Sequence, residues 1–384
     1  MLEVTALPLA ELRERSSEKW REYPADVLPL FVAETDFPLA PTISSALRRA
    51  VDIGDTGYIA SRTPLPETYA DFALRRFGWH VDPMQMRTTA DVSMGIVEIL
   101  RRVTQPGERV VVTPPVYPPF YDLVSEAGAE VARVPLVDTG TQWELDLDGI
   151  RAAFEDGATA LLLCNPHNPT GTVHSRDSLA VLAEIADEYG AAVISDEIHA
   201  LLAQPGTGFT PFLDVGDAAE RVGYAVVSAS KAFNLAGLKC ALMVTASDRT
   251  GAVVRGLPIE VEWRTGQFGL LAAVAAFSDE SDAWLDGLLR TLDANRLLLE
   301  DLLASKLPAA RYRIPDAGYL AWIDLSGLGW GDNPARRILK EAKVALHFGP
   351  AFGEQGRGFV RLNFGTSPEI ITEAIERIAS LVGR

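Results

Sequence analysis

Between residues 109 and 228 the chain alternates short β-branched and aliphatic runs with helical patterns, and few folds accept that alternation. Residues 109–113, 159–164, 191–195 and 222–228 read as strands. Residues 177–189 read as an amphipathic helix stopped by Gly190, a residue suited to the left-handed turn at a helix end. Strand and helix in turn imply βαβ units, and so an α/β fold with a mainly parallel sheet flanked by helices. Beyond about Phe277 the texture changes. A long helix is expected over 283–306, strands at 318–324 and 359–364, and a last helix over 368–381 with Ser367 as N-cap. This reads as a smaller α+β domain that also takes in the N-terminal segment. The expected division is a large domain over 42–278 and a small one made of 1–41 and 279–384.

Composition mainly removes possibilities. The 384 residues are enough for two domains, and 48% hydrophobic with 23% charged residues is an ordinary folded balance. A net charge of −17 repels phosphate backbones and anionic lipid, so neither nucleic acid nor membrane is expected as a partner. The longest apolar run, 268–277, is too short to span a bilayer, and no signal-peptide pattern opens the chain. Cys164 and Cys240 lie far apart in apolar segments and read as small core residues, which fits a reduced, cytoplasmic protein. His80, His167, His174 and His347 show no metal-ligand spacing, so no metal is expected. There is no P-loop and no strand-linked Gly-x-Gly-x-x-Gly.

In open α/β sheets ligands gather at the carboxyl ends of the strands. Three strand ends here carry unusual polar residues: Cys164-Asn165-Pro166-His167-Asn168-Pro169-Thr170-Gly171, Ser195-Asp196-Glu197-Ile198-His199 and Ser228-Ala229-Ser230-Lys231. Taken alone, the lysine reads as a solvated loop residue and the aspartate as a helix cap. Together, an amine, a carboxylate and an amide suit three edges of pyridoxal 5'-phosphate. The amine forms a Schiff base with the aldehyde and shuttles the substrate's Cα proton. The carboxylate keeps the pyridine nitrogen protonated, a pairing general to this cofactor. The amide of Asn168 can bond the ring oxygen. Ser93, Met94 and Gly95 precede a helical run over 96–103 and could cradle the phosphate with backbone N–H groups. Ser228, Ser230 and Lys239 offer hydroxyls and a positive charge, and Tyr117 could stack on the ring. Arg361 sits inside an apolar strand, where an unpaired guanidinium is costly; a carboxylate ligand accounts for it better than packing.

These blocks resemble the class I/II aminotransferase family, fold type I of the pyridoxal-phosphate enzymes, over nearly the whole chain. The likeness is strongest to bacterial cystathionine β-lyases and cysteine C–S lyases. It is carried by Leu30-Phe31-Val32-Ala33-Glu34-Thr35-Asp36-Phe37, Gly57-Tyr58, Pro115-Val116-Tyr117-Pro118-Pro119-Phe120, Ser230-Lys231-Ala232-Phe233-Asn234-Leu235-Ala236-Gly237-Leu238-Lys239 and Arg361-Leu362-Asn363-Phe364. The resemblance implies that Lys231 is the Schiff-base lysine, that Asp196 partners the pyridine nitrogen, and that Asn168 bonds the ring oxygen with help from His199. It implies that Arg361 clamps the substrate carboxylate, that Ala33 belongs to a segment closing over the substrate, and that Tyr58 reaches the neighbouring subunit's phosphate in a homodimer. The stretch 263–269 matches less closely, leaving the substrate's distal group open. The implied reaction is β-elimination from an S-substituted amino acid such as cystathionine, giving a thiol, pyruvate and ammonia. Transamination uses the same proton transfer and stays as an alternative, as does a regulatory protein that binds the cofactor and acts through a partner.

Overall fold

The computed structural model describes residues 2–383. Seven strands form the larger sheet: β1 (Met86–Thr89), β2 (Arg109–Val112), β3 (Glu130–Arg133), β4 (Ala158–Cys164), β5 (Ala192–Asp196), β6 (Gly223–Val227) and β7 (Ala241–Val244). Their spatial order is β1-β7-β6-β5-β4-β2-β3, and only β7 runs antiparallel to its neighbours. β4 to β6 are nearly continuous apolar runs because helices cover both faces. On one side the helix Arg176–Tyr189 buries Leu179, Leu182 and Ile185; Ser175 caps its start and Gly190, at φ 65°, ends it. On the other side the helix Val92–Val103 packs across β5, β6 and β7.

The β1 and β3 strands escape the sequence reading: β1 is polar (Met-Arg-Thr-Thr) and β3 has half-exposed faces at the sheet edge, while β7 is the apolar segment that follows Cys240. The helix expected to begin at Ile96 starts at Val92, because the Asp91 side chain accepts the Met94 N–H at 2.9 Å and caps it earlier. The other expected elements fall within about two residues of their bounds.

A second, antiparallel sheet follows: β8 (Arg311–Tyr312), β9 (Leu320–Asp324), β10 (His347–Phe348) and β11 (Phe359–Asn363), in the order β8-β9-β11-β10. The 25-residue helix Asp282–Lys306 packs against the last helix, Pro368–Ala379. The N-terminal segment threads between the two sheets' elements. Leu28–Pro29 pairs in parallel with Val344–Ala345. Lys19 forms a fully buried ion pair with Asp36 at 2.8 Å, and Trp20 Nε1 donates to the other Asp36 oxygen. Thr35 is gripped twice by Asn234, whose Oδ1 accepts the Thr35 N–H while its Nδ2 donates to the Thr35 carbonyl. Among the described residues no helix is long and apolar enough to cross a membrane, and no side-chain cluster is fit to hold a metal ion.

Candidate active site

Strand register brings the chemistry to one rim. Cys164 lies opposite Asp196, and Asp196 opposite Val226, so β4, β5 and β6 end level and their following residues meet. A cavity of about 370 Å³ opens there, lined by Asn168, Asp196, His199, Ser228, Ser230 and Lys231. Tyr117 after β2, Ser93 at the helix start, Lys239, Ala33 and Arg361 complete its expected members.

Lys231 Nζ donates to the Ala33 carbonyl at 3.2 Å. Burial, then the Arg361 charge, lowers its pKa, which moves the amine toward the uncharged form a nucleophile needs. Asp196 is buried; its Oδ1 accepts the Ile198 N–H, and no hydrogen bond reaches its second oxygen among the described residues. Burial raises its pKa to about 7, opposed by that N–H and by Lys231. A cationic partner at this carboxylate would relieve the desolvation.

Arg361 is 3% exposed and donates to Asn168 Oδ1 at 3.0 Å and to the Phe31 carbonyl at 2.9 Å. Its Nε has no partner among the described residues, and its guanidinium lies 5.1 Å over the Phe352 ring. Burial lowers its pKa to about 10, leaving it charged at neutral pH with no carboxylate beside it. An incoming carboxylate fits that vacancy in its hydrogen bonding. His199 is buried, its Nδ1 unpartnered among the described residues, and burial followed by Lys231 and Arg361 drops its pKa to about 3. It therefore stands as a neutral imidazole. Burial, partly offset by Arg361, raises the Tyr117 pKa, keeping that ring neutral.

The residues expected to serve a phosphate are brought together only in part. Met94 and Gly95 lie in the first turn of the Val92–Val103 helix and do not line the cavity. The Met94 N–H is taken by Asp91. A Cβ on Gly95 would sit 3.0 Å from Val226 and 3.2 Å from Thr89, so this glycine lets the helix approach the sheet. Asp91 itself lines the cavity and pairs with Lys239 at 3.0 Å. The Ser228 hydroxyl donates to the Cys240 carbonyl and accepts the Ser230 N–H, shaping the turn before Lys231. Tyr58 lies outside the cavity, 91% exposed on the single chain.

Several residues escaped the sequence reading. Glu18, Phe31, Val32 and His347 also line the cavity, from distant chain positions. Tyr319 donates its hydroxyl to the Ala33 carbonyl at 3.0 Å, sharing it with Lys231. Behind Asp196, the buried Glu197 accepts from the Ser195 hydroxyl and the Phe212 N–H. Asp91 had a readable signal, an acidic N-cap before an apolar helix, and Phe31 and Val32 lie in the block that carries the family resemblance.

Residues 42–378 match the family model of class I and II aminotransferases, and the chain belongs to that family. It is 44% identical to a provisionally named cystathionine β-lyase of Mycobacterium leprae (strain TN), over 97% of this chain and 96% of that protein. It is 35% identical to the cystathionine β-lyase of Corynebacterium glutamicum, covering 97% and 99% of the two chains. A solved Corynebacterium diphtheriae structure, described as a PLP-dependent β-cystathionase, superposes with a TM-score of 0.94 at 34% identity, covering 99% of each chain. The fold is that of the aspartate-aminotransferase-like enzymes.

Proposed function

We propose that this chain is a pyridoxal-phosphate-dependent carbon–sulfur β-lyase acting on cystathionine or related S-substituted cysteines. The reading is carried by one observation: Lys231, Asp196 and the Arg361–Asn168 pair face a single cavity at the carboxyl rim of the sheet. The relatives named as cystathionine β-lyases support it.

The residues fit the cofactor. Lys231 would hold its aldehyde, Asp196 its ring nitrogen and Asn168, with neutral His199, its ring oxygen; Tyr117 would cover one face. Ser93, Ser230 and Lys239 would serve the phosphate, and the Asp91–Lys239 pair sets how much positive charge remains there. When bound, the cofactor supplies an electron-withdrawing ring that acidifies the substrate's Cα–H.

The chain's own groups do the rest. Arg361 holds the α-carboxylate with two parallel N–H donors, which fixes the Cα–H relative to Lys231. Lys231 Nζ takes that proton, and burial, which lowers its pKa, favours the neutral amine this step needs. Asp196, facing the ring nitrogen as a carboxylate, would keep the proton on that nitrogen. Loss of a thiolate from Cβ, followed by hydrolysis in water, yields the thiol, pyruvate and ammonia.

We also propose a large domain over 42–278, a small one from 1–41 with 279–384, and a cytoplasmic homodimer. Exposed Val51, Ile53, Tyr58, Ile259 and Trp263 support association, since large apolar side chains left in water mark contact surfaces. Light scattering on the purified protein tests the dimer.

The deciding experiment incubates the holoenzyme with cystathionine and no keto acid. Free thiol and pyruvate should appear catalytically. A single turnover that needs a keto acid to continue would instead make the protein an aminotransferase.

A further inference from the structure

The outer wall of the cavity carries one carboxylate that the proposed reaction does not use. Glu18, exposed on the single chain, lines the cavity together with the half-buried Phe31, Val32 and His347. Three acidic side chains line the cavity, and the other two are committed. Asp91 accepts the Met94 N–H and pairs with Lys239, while Asp196 accepts the Ile198 N–H and faces the ring nitrogen in the proposed site. Among the described residues the Glu18 side chain has no hydrogen bond and no ion pair. Its backbone is nonetheless fixed. Lys19 and Trp20, the next two residues, are both tied to buried Asp36.

Among the described residues lining the cavity, none balances this charge. Arg361 is reserved for the substrate's α-carboxylate, and Lys239 is engaged by Asp91. His347 brings no positive charge at neutral pH, because burial and the Arg361 charge hold its pKa at about 4. With the α-carboxylate on Arg361 and the α-amine toward Lys231, the substituent on sulfur is left the outer part of the cavity.

We infer that Glu18 reads the distal end of the substrate, favouring S-substituted cysteines that carry a cation beyond the sulfur over neutral or anionic ones of similar length. This rests on the C–S lyase reading above. A carboxylate–ammonium contact at an exposed position is worth about twofold to fivefold. It should weaken as salt shortens the screening length.

The test compares S-(2-aminoethyl)-, S-propyl- and S-(2-carboxyethyl)-L-cysteine as substrates of the holoenzyme, following thiol and pyruvate. In the wild type, kcat/KM should fall in that order, with the aminoethyl-to-propyl ratio shrinking at high salt. Glu18→Gln should bring that ratio close to one, and Glu18→Lys should favour the carboxyethyl compound. Calorimetric binding of L-lysine against L-norleucine, which hold no sulfur to eliminate, gives a readout independent of turnover. Cleavage of all three conjugates with ratios indifferent to Glu18 overturns the inference and leaves the lyase reading standing. A Glu18-dependent preference for lysine without cleavage of any conjugate overturns the lyase reading and supports the role of Glu18.

Discussion

Lys231 Nζ and the Tyr319 hydroxyl donate to the same acceptor, the carbonyl oxygen of Ala33, from 3.2 and 3.0 Å. The N-terminal segment is therefore still held at Ala33 when Lys231 is used for chemistry or removed. Lys231→Ala should fold with a melting temperature near that of the wild type. Its lyase activity should drop by about 10²–10⁴ or more, the range of a lost general base. Borohydride should also no longer fix the cofactor to the chain, as read by intact-protein mass. A variant that kept wild-type turnover would remove Lys231 from the mechanism.

Arg361→Lys keeps the charge and discards the fork. One point charge cannot replace the donors to Asn168 and Phe31 and still meet a carboxylate with two parallel bonds. Losing a charge-assisted bond costs about 1.5–3 kcal/mol, so kcat/KM should fall roughly ten- to hundredfold. The loss should fall on KM at least as much as on kcat. Steady-state kinetics with cystathionine decides it, and an unchanged KM would speak against carboxylate binding at this residue.

Buried titratable groups shape stability against pH in two opposed limbs. Burial raises the Glu197 pKa to about 8 from an ordinary 4.5, so across that window the folded chain keeps a proton the unfolded chain has released. Stability from Glu197 is therefore full below pH 4.5 and is lost as pH rises toward 8. His167, His174 and His199 do the reverse. Burial lowers them to about 4, 3 and 3 from 6.5, so falling pH charges the unfolded chain first and destabilises the fold. Melting temperature should peak between these limbs. Asp196, raised by burial to about 7, adds to the limb above the peak, so Glu197→Gln should make that limb shallower, most of all between pH 7 and 8, and leave the acid limb in place; identical pH curves for the two proteins would refute the assignment.

The Lys19–Asp36 pair is buried on both sides. Asp36→Ala should cost about 3–5 kcal/mol, because it strands a charged amine without its partner. Combining it with Lys19→Met should recover much of that loss. Urea denaturation of the single and double variants measures the difference, and equal midpoints would show that the pair is not coupled.

Legibility in the sequence followed locality. β4, β5 and β6 are apolar runs that each end in a polar surprise, so Asn168, Asp196 and Lys231 could be picked out where one strand stops. Gly190 and Ser367 likewise announced their helix ends. Gly95 was misassigned because a glycine near a serine reads as an anion cradle, whereas only the packed structure shows Val226 and Thr89 against its Cα. Glu18 and His347 were invisible for a different reason. They lie far apart in the chain and reach the cavity through long-range pairings, Leu28–Pro29 with Val344–Ala345 and β10 with β11, which no local pattern encodes.

The short pairing of Leu28–Pro29 with Val344–Ala345 also sets a clock. A ribosome adding about 5–20 residues per second releases the first of these segments tens of seconds before the second. For that interval the segment bearing Glu18 and Ala33 has no strand to join, and Arg361 has not been made. The large sheet can assemble meanwhile, but the substrate pocket cannot. A chain cut short before its last sheet would carry Lys231 without Arg361, and so without the group proposed to hold the substrate's carboxylate.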